Sequence, residues 1–330
     1  MASSDRRSRG WLILRIAGTL LALAWVIDQV EPAAAAQAFG GAPLWVFLVS
    51  PLGVMCNTLI QALRIHRMLH AQGVTLPYWQ IFSVLCRGAF VGLVLPSGGQ
   101  EVAKAAFLAQ ASRVDAGIAA LLSARVLQLP IWSVLLGWGL LWGLVQTDPL
   151  LGVAAAAFLC VSLTILAVGA WALARPKALT VPVPAWAPGW VREPISGIFT
   201  SLRSLRATPG VMAQVALLAI PCALINILVV WGILVGFGTP LALFEVSALL
   251  PAADVVIWMP VSISGLGVRE GLFAYFLAPR GLSAGAAVAV GLTRWTGELT
   301  RAMVGGILFV MGDTVRVGSG AEDPRRARDV

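Results

Sequence analysis

"PVSISGLGVREGLFAYFLAP", residues 260–279, breaks the pattern of the apolar chain around it. It carries Gly265, Gly267 and Gly271, sets Arg269 beside Glu270, and then runs into an aromatic helical stretch. Irregular backbone at membrane depth is tolerated only where it is buried in protein or lines a wet cavity. The glycines permit tight turns and close approach. A helix starting near Val268 would turn free N–H groups and a partial positive charge toward the break. An anion such as a phosphate can dock at such an end.

Composition sets the frame. The chain has 330 residues, 59% hydrophobic and 12% charged, with mean hydropathy +0.88. Soluble domains carry roughly 25% charged residues. Apolar runs recur from Trp11 to Met311, each long enough to cross a ~30 Å hydrocarbon core. The expected fold class is an all-α polytopic membrane protein, one membrane domain over 1–330 with no soluble catalytic domain attached. The net charge of +8 fits Arg-rich cytoplasmic loops and anionic lipid rather than nucleic acid. Cys56, Cys86, Cys160 and Cys222 lie in apolar segments without CxxC spacing and read as small buried side chains. His66 and His70, beside Arg64 and Arg67, read as part of a basic interfacial face rather than a metal site. No cofactor is expected.

Full spans are expected at about 11–30, 43–69, 114–145, 149–174, 209–237 and 284–311. "DRRSRG" before the first, with "EPAAAAQA" after it, leaves open a cleaved signal peptide, but Arg15 and the length favour an uncleaved helix. Two further segments, 76–112 and 241–279, are interrupted by Pro, Gly and Ser and read as re-entrant hairpins. Arg6, Arg7 and Arg9 place the N-terminus in the cytoplasm, the uncharged loop 31–42 lies outside, and Arg64 and Arg67 bring the chain back. The basic tail (Arg316, Arg325, Arg326, Arg328) places the C-terminus inside as well, at the cost of leaving Arg280 outside. Residues 178–207 read as a cytoplasmic Pro-rich linker with a surface amphipathic helix at 190–207, or an ordinary connecting helix.

An internal repeat connects the two hairpins. "EVAKAAFLAQASRVDAGIAALLSAR" (101–125) aligns without gaps to "EGLFAYFLAPRGLSAGAAVAVGLTR" (270–294). The matches include Glu101/Glu270, Phe107/Phe276 and Arg125/Arg294. Units at about 43–145 and 209–311 would be inverted, because an odd number of spans separates them. Many transporters hold substrate where such broken helices meet. The candidate head-group and pathway residues are Ser97, Gly98, Gly99, Glu101, Lys104 and Arg125 in the first unit. In the second they are Ser264, Gly265, Gly267, Arg269, Glu270, Arg294 and Glu298, with Arg301 extending the face. The cations supply charge-assisted hydrogen bonds and the carboxylates hold them. A competing reading makes Glu101–Arg125 and Glu270–Arg294 buried clips between hairpin and span. Asp254 and Arg87 are weaker candidates, with Arg87 free to snorkel.

"LPSGGQEVAKAAFLA", "PVSISGLGVREG" and the helix around "TRWTGEL" resemble the flippase-like transmembrane domain of lysylphosphatidylglycerol synthases, over nearly the whole chain. That resemblance implies movement of a polar lipid between leaflets. In the family the first motif often carries an acidic residue and a following Arg, for which Glu101 and Lys104 stand here. The chain is too short for the aminoacylating domain of the bifunctional synthases, so the expectation is a non-enzymatic, stand-alone form in a bacterial inner membrane. Its partner is a phospholipid or other polar lipid. Without GxxxxGK[ST], transport would not use ATP hydrolysis. Two alternatives stand beside it. One is a non-catalytic scaffold of a lipid- or glycan-modifying enzyme, in hopanoid or lysylphosphatidylglycerol pathways among others. The other is an enzyme on a lipid phosphate, disfavoured by the lack of HExxH or an acidic metal cluster.

Overall fold

A computed structural model of the protein describes residues 32–93, 99–111, 114–128, 131–135, 160, 163–164, 208–239, 241–258, 268–278 and 281–311. Every element among the described residues is helical. They are α1 (Pro32–Gly41), α2 (Trp45–Ala71), α3 (Tyr78–Gly92), α4 (Gly99–Ala111) and α5 (Val114–Val126), then α6 (Pro209–Leu217), α7 (Ala219–Gly236), α8 (Leu243–Trp258), α9 (Val268–Leu277) and α10 (Ala284–Val310). Three stretches among the described residues are apolar and long enough to cross a membrane: Trp45–Ala71, Ala116–Leu135 and Pro209–Gly236. The protein is a multi-pass membrane protein. Helix α10 has 27 residues, roughly 40 Å, but it carries Arg294, Glu298 and Arg301 along its length.

Local chemistry explains the boundaries. The Ser283 hydroxyl accepts from the Ala286 N–H and starts α10. The Glu245 carboxylate accepts from the Ala242 N–H at 2.9 Å and starts α8. The single span expected at 209–237 is two helices divided at Leu218. The division falls where Pro221 lacks the N–H that would bond the Leu217 carbonyl, whereas α2 and α8 run on through Pro51 and Pro251. The stretch 31–42, read from sequence as a loop, is helical over Pro32–Gly41, with proline at the first helical position and alanines behind it. The spans expected at 11–30 and 149–174, the amphipathic helix at 190–207 and the basic tail lie outside the described residues, apart from 160 and 163–164.

Each interrupted segment folds as two helices packed on each other, α3 on α4 and α8 on α9. Two apolar cores follow among the described residues. One gathers Met68, Leu69, Ile81, Leu85, Leu108 and Ala120 with Val215. The other gathers Val230, Ile233, Leu250, Phe273, Leu277 and Val290 with Val46. Each core also takes residues from the other part of the chain: Val211, Met212, Val304 and Leu308 pack against the first, and Val49, Trp132 and Leu135 against the second. Many large apolar side chains point outward, Leu48, Leu52, Leu224, Leu228 and Ile307 among them, as suits surfaces solvated by lipid tails. Of the cysteines, Cys86 and Cys222 are buried as expected, but Cys56 and Cys160 are exposed on outer helix faces. Sequence cannot assign a face where the whole surroundings are apolar.

Between helices the contacts are close. A Cβ built on Gly305 of α10 would lie 2.0 Å from the Cys86 carbonyl oxygen of α3. One built on Gly297 would lie 2.6 Å from the Ser50 carbonyl oxygen of α2. Membrane helices lack a hydrophobic force between them and associate through such small-residue approach. Gly305→Ala is therefore expected to lower stability by about 1–3 kcal/mol through forced separation of α10 from α3. Thermal unfolding of the purified protein in detergent checks this, with Gly40→Ala, which has nothing within 4 Å, as the silent control.

Candidate functional site

Helix α4 begins at Gly99, directly after the break in the first interrupted segment, and carries Glu101 in its first turn. A carboxylate there is favoured by the positive end of the helix dipole. The Lys104 ammonium donates to Glu101 Oε1 at 2.9 Å, and the Arg125 guanidinium of α5 pairs with the same oxygen. Helices α4 and α5 are thus tied by charge across their short connection. The Lys104 side chain is 3% exposed, while those of Glu101 and Arg125 are 39% and 38% exposed. The Glu101–Arg125 pair is half-buried, not the fully buried clip the sequence suggested.

A pocket opens behind this pair. Gln61, Arg64, Glu101, Lys104, Arg125 and Gln128 supply its polar lining, with Ile65, Leu85, Leu121 and Ala124 as apolar walls. Arg64 is the residue that sequence reasoning misplaced. The sequence places it on a cytoplasmic interfacial face, yet it is 1% exposed inside the bundle, while Arg67 is exposed. The Arg64 guanidinium donates to the Val215 carbonyl at 3.1 Å, the Ala124 carbonyl at 2.6 Å and Gln128 Oε1 at 3.4 Å. Ala124 lies in the last turn of α5, where carbonyls lack helical partners and the dipole favours a cation, and Val215 lies just before the division between α6 and α7. Its charge is therefore met by one helix end and by a carbonyl at that division.

The signal for Arg64 was present. Ser50, Asn57, Gln61 and Arg64 fall along one helical face of α2. The Ser50 hydroxyl donates to the Arg294 carbonyl at 2.7 Å, Asn57 to the Cys222 carbonyl at 3.2 Å, and Gln61 to Asn57 Oδ1 at 2.7 Å. A span read by hydropathy alone hides this stripe. His66, on another face, contacts the Leu76 carbonyl through Nδ1 at 3.0 Å and packs edge-on to Tyr78. Among the described residues no cluster of His, Cys, Asp or Glu could hold a metal ion.

In the second unit, Glu270 occupies the first turn of α9 and is 3% exposed. It lies against α10 where Gly291 has no side chain; a Cβ there would sit 3.3 Å from the Glu270 Cα. Arg294, half-buried, follows one turn later, and Glu298 pairs with the buried Arg301. Arg87 does not snorkel. It is 7% exposed and donates to the Leu308 carbonyl near the end of α10 at 2.9 Å. Arg269 lies in the first turn of α9. Ser97, Gly98, Ser264, Gly265 and Gly267 lie outside the described residues.

A family model described as lysylphosphatidylglycerol synthase TM region matches residues 12–294. The chain belongs to this family. The match runs through both interrupted segments and ends on Arg294, so it takes in both Glu/Arg repeats. Membership of this lysylphosphatidylglycerol synthase TM region family links the protein to membrane lipid metabolism. No curated protein and no solved structure matches the chain.

Arg64→Lys is expected to destabilise the protein by about 1–3 kcal/mol, because an ammonium cannot serve three acceptors set around a planar fork. Arg67→Lys, at an exposed position, should leave the thermal midpoint unchanged. Parallel melts in detergent of the two variants give the comparison.

Proposed function

We propose that the protein moves an anionic or polar lipid between the two leaflets of a bacterial inner membrane, without enzymatic chemistry of its own. The observation that carries this reading is the pocket itself, where Arg64, Lys104 and Arg125 face a lining with one carboxylate, Glu101. Charges inside a bilayer cost at least ~2.5–3.5 kcal/mol each on insertion scales and usually mark a pathway. A surplus of cations suits the phosphate of a lipid head group. Family membership supports a lipid as cargo.

The proposed topology places both termini in the cytoplasm and makes α2–α5 and α7–α10 an inverted pair. The helix contacts support it. Within α2–α5 the first helix packs on the second and fourth, the second on the third, and the third on the fourth; α7–α10 repeats the same four pairings. In this arrangement the first hairpin enters from the cytoplasm and the second from outside, so the two acidic helix starts face the pathway from opposite leaflets.

Proteoliposomes test the reading. Wild type and Arg125→Ala/Arg294→Ala are compared at matched folded amounts across lipids of different head group. Head-group-selective exchange by wild type, reduced at least about tenfold in the double variant, is the expected result. Folded wild-type protein that exchanges no lipid would move the assignment to a scaffold for a lipid-modifying enzyme.

A further inference from the structure

The geometry points to a latch: the Glu101 carboxylate holds the place that a lipid phosphate takes, and the phosphate enters by displacing it from Lys104 and Arg125. This rests on the transport reading and names its ligand as a phosphate-bearing glycerolipid. Four observations converge on it. Both Lys104 and Arg125 end on one oxygen of Glu101, Oε1, so a single anionic oxygen bridges two cations across α4 and α5. The carboxylate and Arg125 sit toward the pocket's mouth, each more than a third exposed, while Lys104 and Arg64 lie behind, almost wholly buried. The anion can swing out toward the exposed side, whereas Lys104 and Arg64 stay enclosed.

Charge gives the third observation. Three lining cations face one lining carboxylate, and the hydrogen bonds of Arg64 described above go to neutral oxygens. The pocket therefore retains positive charge with Glu101 in place, and more once it swings out. A phosphate brings several acceptor oxygens where Glu101 offers one shared oxygen. It also gains the field of the α4 N-terminus that Glu101 now uses. The fourth observation is the wall. Leu85 and Leu121 line the same pocket, an apolar border that a lipid-borne phosphate can lie against and a free ion does not use.

The test uses the purified full chain in detergent. Thermal midpoints are measured against rising dihexanoyl phosphatidylglycerol, inorganic phosphate and neutral dihexanoylglycerol, and converted to dissociation constants. Dihexanoyl phosphatidylglycerol should bind tightest of the three. Glu101→Gln should bind it about tenfold tighter than wild type, because the resident competitor is gone, and Arg125→Gln about tenfold weaker. If Glu101→Gln does not fold, Glu101→Asp, whose shorter arm bridges the two cations less well, should shift affinity in the same direction. Unchanged or weaker binding by the folded Glu101 variant overturns the latch. Equal binding of inorganic phosphate, or of the neutral lipid, overturns the assignment of a phosphate-bearing lipid. Leaflet exchange by a protein whose affinity ignores Glu101 retires the latch alone. Tightened binding without leaflet exchange retires the transport reading alone.

Discussion

Helix α10 rests on α2 and α3 through missing side chains. Gly297 lets it meet the Ser50 backbone and Gly305 lets it meet the Cys86 backbone. In water, a long helix is held by burying an apolar stripe. Against lipid tails that incentive vanishes, and the attraction left is dispersion and hydrogen bonding at close range. The rest of the bundle depends on this seat. It fixes the height at which Arg294, Glu298 and Arg301 stand beside the first unit, and it brings the Arg294 carbonyl to the Ser50 hydroxyl.

With the backbones that close, polar groups can be placed where no water reaches them. The bundle handles its buried cations in different ways. Arg64 and Arg87 are met by carbonyl oxygens in the last turns of neighbouring helices. Lys104 and Arg301, together with the half-buried Arg125, are met by carboxylates. Carbonyls at a helix end are fixed by the backbone, whereas a glutamate is a side chain with rotamers of its own. The first kind of partner cannot swing away by a change of rotamer. The second can.

Much of the architecture was legible in the sequence, because it is carried by backbone rules. Runs of apolar residues gave spans at 43–69, 114–145 and 209–237 that reappear as the apolar stretches Trp45–Ala71, Ala116–Leu135 and Pro209–Gly236, while 284–311 reappears as the helix α10 with Arg294, Glu298 and Arg301 along it. The Pro, Gly and Ser interruptions gave two segments that do fold as packed helix pairs. The pairing of Glu101 with Arg125, 24 residues apart, came from comparing two stretches of one chain. What hydropathy could not supply was facing. Arg64 and Arg67 differ by less than one helical turn, and both lie near a helix end; one is sealed in the bundle and the other is exposed. The polar stripe from Ser50 to Arg64 was hidden by the apolar residues between its members, and the division at Leu218 cuts a span that its composition ran together.

The three bonds of Arg64 also bear on what can move. Its guanidinium joins α2 to α5 and α6: the bond to Val215 would have to break for α6 to slide past α2, and those to Ala124 and Gln128 for α5 to do so. Stripping a buried guanidinium of its partners costs several kcal/mol, on the order of 3–5. Helices α2, α5 and α6 are thus held to one another by backbone carbonyls around one guanidinium. The hairpin of α3 and α4 is joined to α5 by a side-chain carboxylate and to α10 by the Arg87–Leu308 bond.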